Sequence, residues 1–317
     1  MKAWRLYGTG DIRFEDVPIP ALNPSEVLVK VAAAGICSSD IGRVFGAGAY
    51  HYPITLGHEF AGVVADTADE KDRYLIGKRV GVFPLLPCFE CESCKRESFE
   101  TCKNYSYIGS RRDGAFAEYV NVPVWNLIPL PDNVNSQNAA MLEPTAVALH
   151  AVRLVDLSPE KSVSVIGNGA IGQLAAQFFS NTAPETTLLG RGDPDVSADI
   201  TLEAVGTAQS LSRCIDITKP GGEIILMGNP PADFALSQKP YWQILRKQLK
   251  TRGSWNSSFR HNENDDWNSA LSKISAGEIS PSDFISHRFA FERLDEALFM
   301  MNERKVRHLK VMVECGE

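Results

Sequence analysis

The run Ser162-Val163-Ser164-Val165-Ile166-Gly167-Asn168-Gly169-Ala170-Ile171-Gly172 leaves few choices for the fold around it. A short apolar stretch reads as a buried parallel strand, G-x-G-x-x-G as a tight turn, and residues 173–179 as a helix, which together make one βα unit of a doubly wound sheet. Glycine turns are common, and the strand before and helix after give this one its meaning. The glycines let a pyrophosphate approach the backbone, and its charge then meets a helix N-terminus. Gly167, Asn168, Gly169, Ala170, Ile171 and Gly172 are therefore candidate dinucleotide contacts. Residues 186–189, 199–204 and 222–227 read as further strands of the sheet.

This half of the chain is abbreviated. A strand about twenty positions after such glycines normally ends in an acidic residue that holds the adenosine ribose, but here the sequence is Leu188-Leu189-Gly190-Arg191-Gly192. Only residues 192–198 separate Arg191 from the next strand, and a parallel crossover needs about a dozen. A helix-strand unit is expected to be missing or severely shortened. Arg191, a planar cation where a carboxylate would repel a 2'-phosphate, suits NADP(H).

The cysteines carry the second signal. There are 7 in the chain, an odd number for a disulfide scaffold, and Cys88, Cys91, Cys94 and Cys102 form C-x2-C-x2-C-x7-C. Four thiolates at that spacing close a tetrahedral shell and leave no open position, so a structural zinc is expected. Elsewhere, Cys37 in Gly35-Ile36-Cys37-Ser38-Ser39-Asp40, His58 and Glu59 in Gly57-His58-Glu59-Phe60, and Glu143 in Leu142-Glu143-Pro144 bring thiolate, imidazole and carboxylate types to one chain. Cys37, His58 and Glu143 can converge on one cation, and three protein ligands with an open fourth position are what a catalytic zinc requires.

These residues lie in a first half of short β-like runs, at residues 11–15, 26–31, 62–65, 78–83 and 114–122, separated by prolines and glycines, a pattern that suggests a partly open barrel. Ser136 is the expected N-cap of a helix entering the nucleotide domain, and residues 309–313 form a final strand returning to the first domain. The expected organisation is α/β: residues 1–135 and 285–317 as a β-barrel domain with a zinc lobe at about 84–105, and 136–284 as a nucleotide-binding domain shortened after about 190. At 317 residues two domains are the ordinary expectation. A net charge of -7 argues against nucleic acid or anionic membrane as partner. No apolar run approaches a membrane span, and no signal-peptide core follows Met1, so a cytoplasmic protein is expected.

Taken together, the motifs and the runs Tyr52-Pro53-Ile54-Thr55-Leu56-Gly57-His58-Glu59-Phe60, Pro84-Leu85-Leu86-Pro87-Cys88-Phe89, Ile108-Gly109-Ser110-Arg111-Arg112-Asp113-Gly114 and Gly253-Ser254-Trp255 resemble the zinc-dependent medium-chain alcohol and polyol dehydrogenases over essentially the whole chain. The resemblance implies a GroES-like β-barrel catalytic domain, a Rossmann domain and an oxidoreductase that moves a hydride between a secondary alcohol and NAD or NADP. It assigns the catalytic zinc to Cys37, His58 and Glu143, a supporting or exchanging carboxylate to Glu59, and outward proton transfer to Ser39. A histidine usual in that relay is replaced by Gly42, with water, a ribose hydroxyl or His51 as substitutes. It also implies NAD(H) as the commoner cofactor and a homodimer or homotetramer.

A polyol or polyol phosphate is the expected small-molecule substrate. Arg43, Arg111 and Arg112 are candidate phosphate contacts, joined by Trp255 and Asn256 from the nucleotide domain. The alternatives are a zinc-containing reductase of another carbonyl compound and a zinc-stabilised binding protein without turnover.

Overall fold

Strand Glu26–Ile36 is buried at every residue except Lys30 and Ala32, because it is paired along both edges. Glu59–Thr67 runs antiparallel along one edge; Tyr119–Pro123 and Lys310–Glu314 share the other. The seven-stranded sheet built on it continues from Glu59–Thr67 to Arg79–Val82 and Leu127–Pro129, and from Lys310–Glu314 to Ile285–Ala290. Its path ends at two unjoined strands, as expected of an open barrel. Val27, Val29, Val31, Phe60, Val80, Phe116 and Val311 fill its core. Only Tyr119–Pro123 of the expected run 114–122 is strand. The residues before it bond instead to the backbone of Thr55, Leu56, Gly57 and Lys2.

The computed structural model describes residues 1–315. It forms two units: Met1–Glu143 with the segment from Ser258 onward, and Pro144–Ser257. The division thus falls at 143 and 258, not at 135 and 285. The reason for the second shift is aromatic. Phe259 and Trp267, each 1% exposed, pack against Phe83 with ring centroids 5.1 and 5.3 Å away, so helix Asp266–Ser275 belongs to the first unit. The N-cap at the first junction is Asn135, one residue before the expected Ser136; its side chain accepts from the Asn138 amide at 2.8 Å. Helix Leu142–Val152 begins just beyond, with Pro144 in its first turn, where a missing N–H leaves no bond unmade.

The second unit is a five-stranded parallel sheet in the order Thr186–Leu189, Val163–Ile166, Ala198–Glu203, Thr218–Leu226, Lys250–Gly253. Helices Ala170–Ser180, Ala208–Ile217 and Gln238–Lys247 alternate with the strands. No helix stands between Thr186–Leu189 and Ala198–Glu203. Residues 190–197 pass strand Val163–Ile166 as a strap, and Ser164 Oγ donates to the Val196 carbonyl at 2.9 Å. Arg213 ties the strap down, donating to the carbonyls of Gly190 and Asp193 and to the Asp195 carboxylate at 2.7 to 2.8 Å. Among the described residues no helix is long and apolar enough to cross a membrane.

Candidate active site and metal centres

The pairing of strands Glu26–Ile36 and Glu59–Thr67 builds the first centre. Gly35 faces Glu59 across the ladder, so Cys37, just past one strand end, arrives beside His58, just before the other begins. A Cβ on Gly35 would stand 2.3 Å from Glu59 Oε2; glycine is what leaves room for that carboxylate. The potential ligand atoms of Cys37, His58 and Glu59 lie within 4.8 Å of one another. His58 is 5% exposed and Glu59 1%.

Three partners of this group were not singled out in the sequence. Asp40, fully buried, accepts from the Cys37 amide at 3.0 Å through Oδ2, and its Oδ1 stands 3.5 Å from His58 Nδ1. Lys310, on the final strand, places Nζ 2.6 Å from both oxygens of Glu59. Tyr107 donates its hydroxyl to Glu143 Oε1 at 3.2 Å. Asp40 lies inside the cysteine run, and Lys310 is a lone cation in a strand otherwise apolar at its centre, so both left a trace in the sequence; Tyr107 left none.

Glu143 stands outside the Cys37, His58 and Glu59 group. Burial is the main cause that pushes its carboxyl up to about 7; His58 opposes the rise and Glu59 adds to it. Burial alone would lower the His58 imidazolium, but Asp40 and Cys37 outweigh it and hold it well above its ordinary value. Lys310 follows the same logic, with burial lowering and Glu59 raising it further.

This donor set fits a zinc ion. Among the described residues, Asp40 Oδ1 and His58 Nδ1 are buried without a hydrogen-bond partner, a costly arrangement unless a ring nitrogen and its orienting carboxylate are drawn together when the other nitrogen ligates a metal. Thiolate, imidazole and carboxylate are zinc ligands.

The second centre fits zinc more directly. The sulfurs of Cys88, Cys91, Cys94 and Cys102 are separated by 3.5 to 3.9 Å along four of their edges. A tetrahedron with Zn–S bonds of about 2.3 Å has edges of about 3.8 Å, whereas a disulfide needs about 2.05 Å. Amide donors, first that of Cys94, lower the Cys91 thiol to about 6, while burial raises Cys94 to about 12.

The glycine turn of the second unit has the shape a pyrophosphate needs. Gly167 adopts φ +125°, closed to ordinary side chains, and a Cβ on Gly172 would sit on the Gly167 carbonyl. Gly169 caps helix Ala170–Ser180 with no side-chain hydrogen bond, so first-turn amides are left for an anion. Asn168 is held by Gln173 at 2.9 Å. Arg191 is exposed on the strap. Asp193, missed in the sequence, accepts from the Gly190 amide at 2.7 Å.

The candidate substrate residues differ in their surroundings. Arg112 is committed to Glu26 at 2.8 Å and to the Asn121 carbonyl. Arg43 lies 4.0 Å from Asp40, with Nη1 buried and, among the described residues, unbonded. Arg111 is stacked between Tyr50 and Tyr105, 4.7 and 4.4 Å from their ring centres. Tyr105 meets Tyr107 at 6.3 Å and Tyr107 meets His58 at 5.7 Å. His51 is taken up with the Arg111 carbonyl at 3.4 Å. Trp255, 52% exposed, and Asn256 follow strand Lys250–Gly253 in the second unit.

Residues 23–132 match the alcohol dehydrogenase GroES-like domain. The chain belongs to the zinc-dependent medium-chain alcohol and polyol dehydrogenase family. Within that family it is similar to galactitol 1-phosphate 5-dehydrogenase of Escherichia coli K12, 33% identical over 321 residues that cover 91% of this chain and 93% of the relative. The crystal structure of galactitol-1-phosphate dehydrogenase from Escherichia coli aligns with TM-score 0.89 and 31% identity, covering 99% of this chain and all of that one. A crystal structure of a Sinorhizobium meliloti 1021 protein bound to NADP aligns with TM-score 0.90 and 27% identity over 99% of both chains.

Proposed function

We propose that this chain oxidises a secondary alcohol of a polyol phosphate, resembling galactitol 1-phosphate, to the ketone, with NAD or NADP as hydride acceptor and release of one proton. The observation that carries the reading is the convergence of Cys37, His58 and Glu59 beside Glu143, at the inner end of a line of side chains that runs through Tyr107 and Tyr105 to Arg111. Cys37, His58 and Glu143 would hold the catalytic zinc, and Cys88, Cys91, Cys94 and Cys102 the structural one. When bound, zinc would supply Lewis acidity at the substrate hydroxyl and the nicotinamide would serve as the hydride acceptor.

The chain's own residues do the rest. Asp40 fixes the His58 ring, and Lys310 fixes Glu59. Ser39, in the first turn of helix Ser38–Phe45 and partly exposed, receives the hydroxyl proton; with Gly42 lacking a side chain and His51 turned to Arg111, the proton passes on to water. The first turn of helix Ala170–Ser180 binds the cofactor pyrophosphate. Of the three arginines, Arg111 is the one whose guanidinium is held flat by two rings instead of by a carboxylate; Nη1 also donates to the Tyr105 carbonyl at 3.4 Å, and its remaining donors suit a phosphate. The subunits are proposed to assemble as a homodimer or homotetramer.

The test is kinetic. Comparison of kcat/KM for a hexitol phosphate and its free polyol should show a preference for the phosphate in the wild type. Arg111→Ala is expected to reduce that preference roughly 10- to 100-fold, as loss of a charge-assisted contact does, while Arg112→Ala and Arg43→Ala change it less. A wild type that prefers the free polyol removes the phosphate from the reading and leaves a general polyol dehydrogenase.

A further inference from the structure

Tyr107 joins two of the groups assigned to the catalytic zinc without being a ligand itself. It lies on the short strand Ser106–Tyr107, where Leu85 faces it across the pair. Two residues on, a Cβ at Gly109 would meet the Gly57 carbonyl, so its backbone is packed tightly against the segment that carries His58. Its ring meets the His58 ring edge-on at 5.7 Å and an interplanar angle of 65°, while its hydroxyl reaches Glu143 Oε1 at 3.2 Å. It therefore senses the imidazole with one end and the carboxylate with the other.

The two carboxylates of the centre are restrained differently. Glu59 is gripped through both oxygens by the buried Lys310 ammonium at 2.6 Å. Glu143 is engaged through one oxygen by a neutral phenol. Two ion-pair contacts at 2.6 Å restrain a carboxylate more than a single 3.2 Å bond from an uncharged donor, so Glu59 is the fixed carboxylate and Glu143 the adjustable one. We infer that Tyr107 is a positioning residue for the metal: by holding Oε1 of Glu143 while its ring packs on His58 it fixes that carboxylate near the imidazole and would set how long the ion is retained. This rests on the proposal that Cys37, His58 and Glu143 form the zinc site.

Tyr107→Phe keeps the ring against His58 and removes only the hydroxyl. With protein loaded with two zinc ions, transfer to a chromogenic chelator should show one fast and one slow ion. In Tyr107→Phe the fast ion is expected to leave roughly 10- to 100-fold sooner, the usual cost of losing a partner that orients a ligand, while the slow ion of the four-cysteine lobe and the Tm stay as in the wild type. Glu143→Ala should accelerate the fast ion at least as much, and Tyr107→Phe combined with Glu143→Ala should add nothing further, because both changes act on one contact. The visible spectrum of cobalt bound at the same site should change in Tyr107→Phe.

Unaltered release in Tyr107→Phe, or effects that simply add in the double variant, overturns the role given to Tyr107. A wild type that takes up a single zinc, lost when the four-cysteine lobe is mutated, overturns the catalytic site itself. If Tyr107→Phe does not fold, shown by loss of the lobe's zinc, the comparison is made with Tyr107→Trp, which keeps a ring but cannot place a hydroxyl on Glu143, with the same expected acceleration and the same contrary result.

Discussion

Glu143 makes metal uptake depend on pH. A carboxyl pushed up to about 7 by burial is largely protonated at pH 6 in the metal-free fold, and a ligand must lose its proton to bind zinc. His58, held well above its ordinary value, has to lose a proton as well. Both terms have the same sign: apparent zinc affinity at this centre should rise with pH through 7. Competition titration of metal-free protein at pH 6 and pH 8 checks it, with affinity expected to be at least tenfold weaker at the lower pH. Equal affinities would mean that neither group is protonated in the metal-free site. Residue types were legible in the sequence because zinc draws on so few of them, and Cys37, His58, Glu59 and the four lobe cysteines do come together. The supporting contacts were not. Lys310 and Glu59 lie 251 positions apart, and a tyrosine such as Tyr107 reads as ordinary core until the fold sets a carboxylate in front of it.

At the scale of elements, the strap of residues 190–197 is the most consequential departure. The sequence forecast it by counting, since too few residues lie between two parallel strands for a crossover helix. It did not forecast how a strap is held. Arg213, on helix Ala208–Ile217, makes three hydrogen bonds to it, and the Asp193 carboxylate folds back on the Gly190 amide, near Asn168 of the glycine turn. Two opposite charges therefore stand where the adenosine ribose is expected. Asp193 favours a free 2'-hydroxyl and repels a 2'-phosphate; Arg191 does the reverse. Fluorescence titration with NADH and NADPH should show Arg191→Ala shifting the affinity ratio toward NADH, and Asp193→Asn shifting it toward NADPH, each by roughly 3- to 10-fold for an exposed charge. Ratios unchanged in both variants would place the ribose elsewhere.

At the scale of the first unit as a whole, Trp125 links the four-cysteine lobe to the segment that returns to the sheet domain. Trp125 packs on Phe89 and Phe99 of the lobe, with centroids 5.0 and 5.2 Å away, and on Phe259 and His261 of the returning segment at 5.3 and 5.1 Å. His261 also bonds the Trp125 carbonyl at 2.7 Å. Apart from Phe99 and two cysteines, the lobe has little buried apolar surface of its own, so the metal must supply the order that a core would otherwise give. Loss of that zinc should loosen Phe89 and Phe99 from Trp125 and, through it, the segment that returns to the sheet domain. Cys94→Ser is expected to lower the Tm by about 5 °C or more, corresponding to roughly 2 kcal/mol for a domain of this size, and to change the tryptophan emission. In a Trp125→Phe background the emission change should largely vanish while the Tm loss remains. Cys94→Ser with one zinc still bound, and released at the wild-type rate from the Cys37 and His58 site, would show that the lobe and the catalytic centre hold their ions independently. Loss of both ions together would instead make the lobe a condition for the catalytic centre, acting through Phe83, which touches Trp125 at 6.0 Å and continues the strand that pairs with Glu59–Thr67.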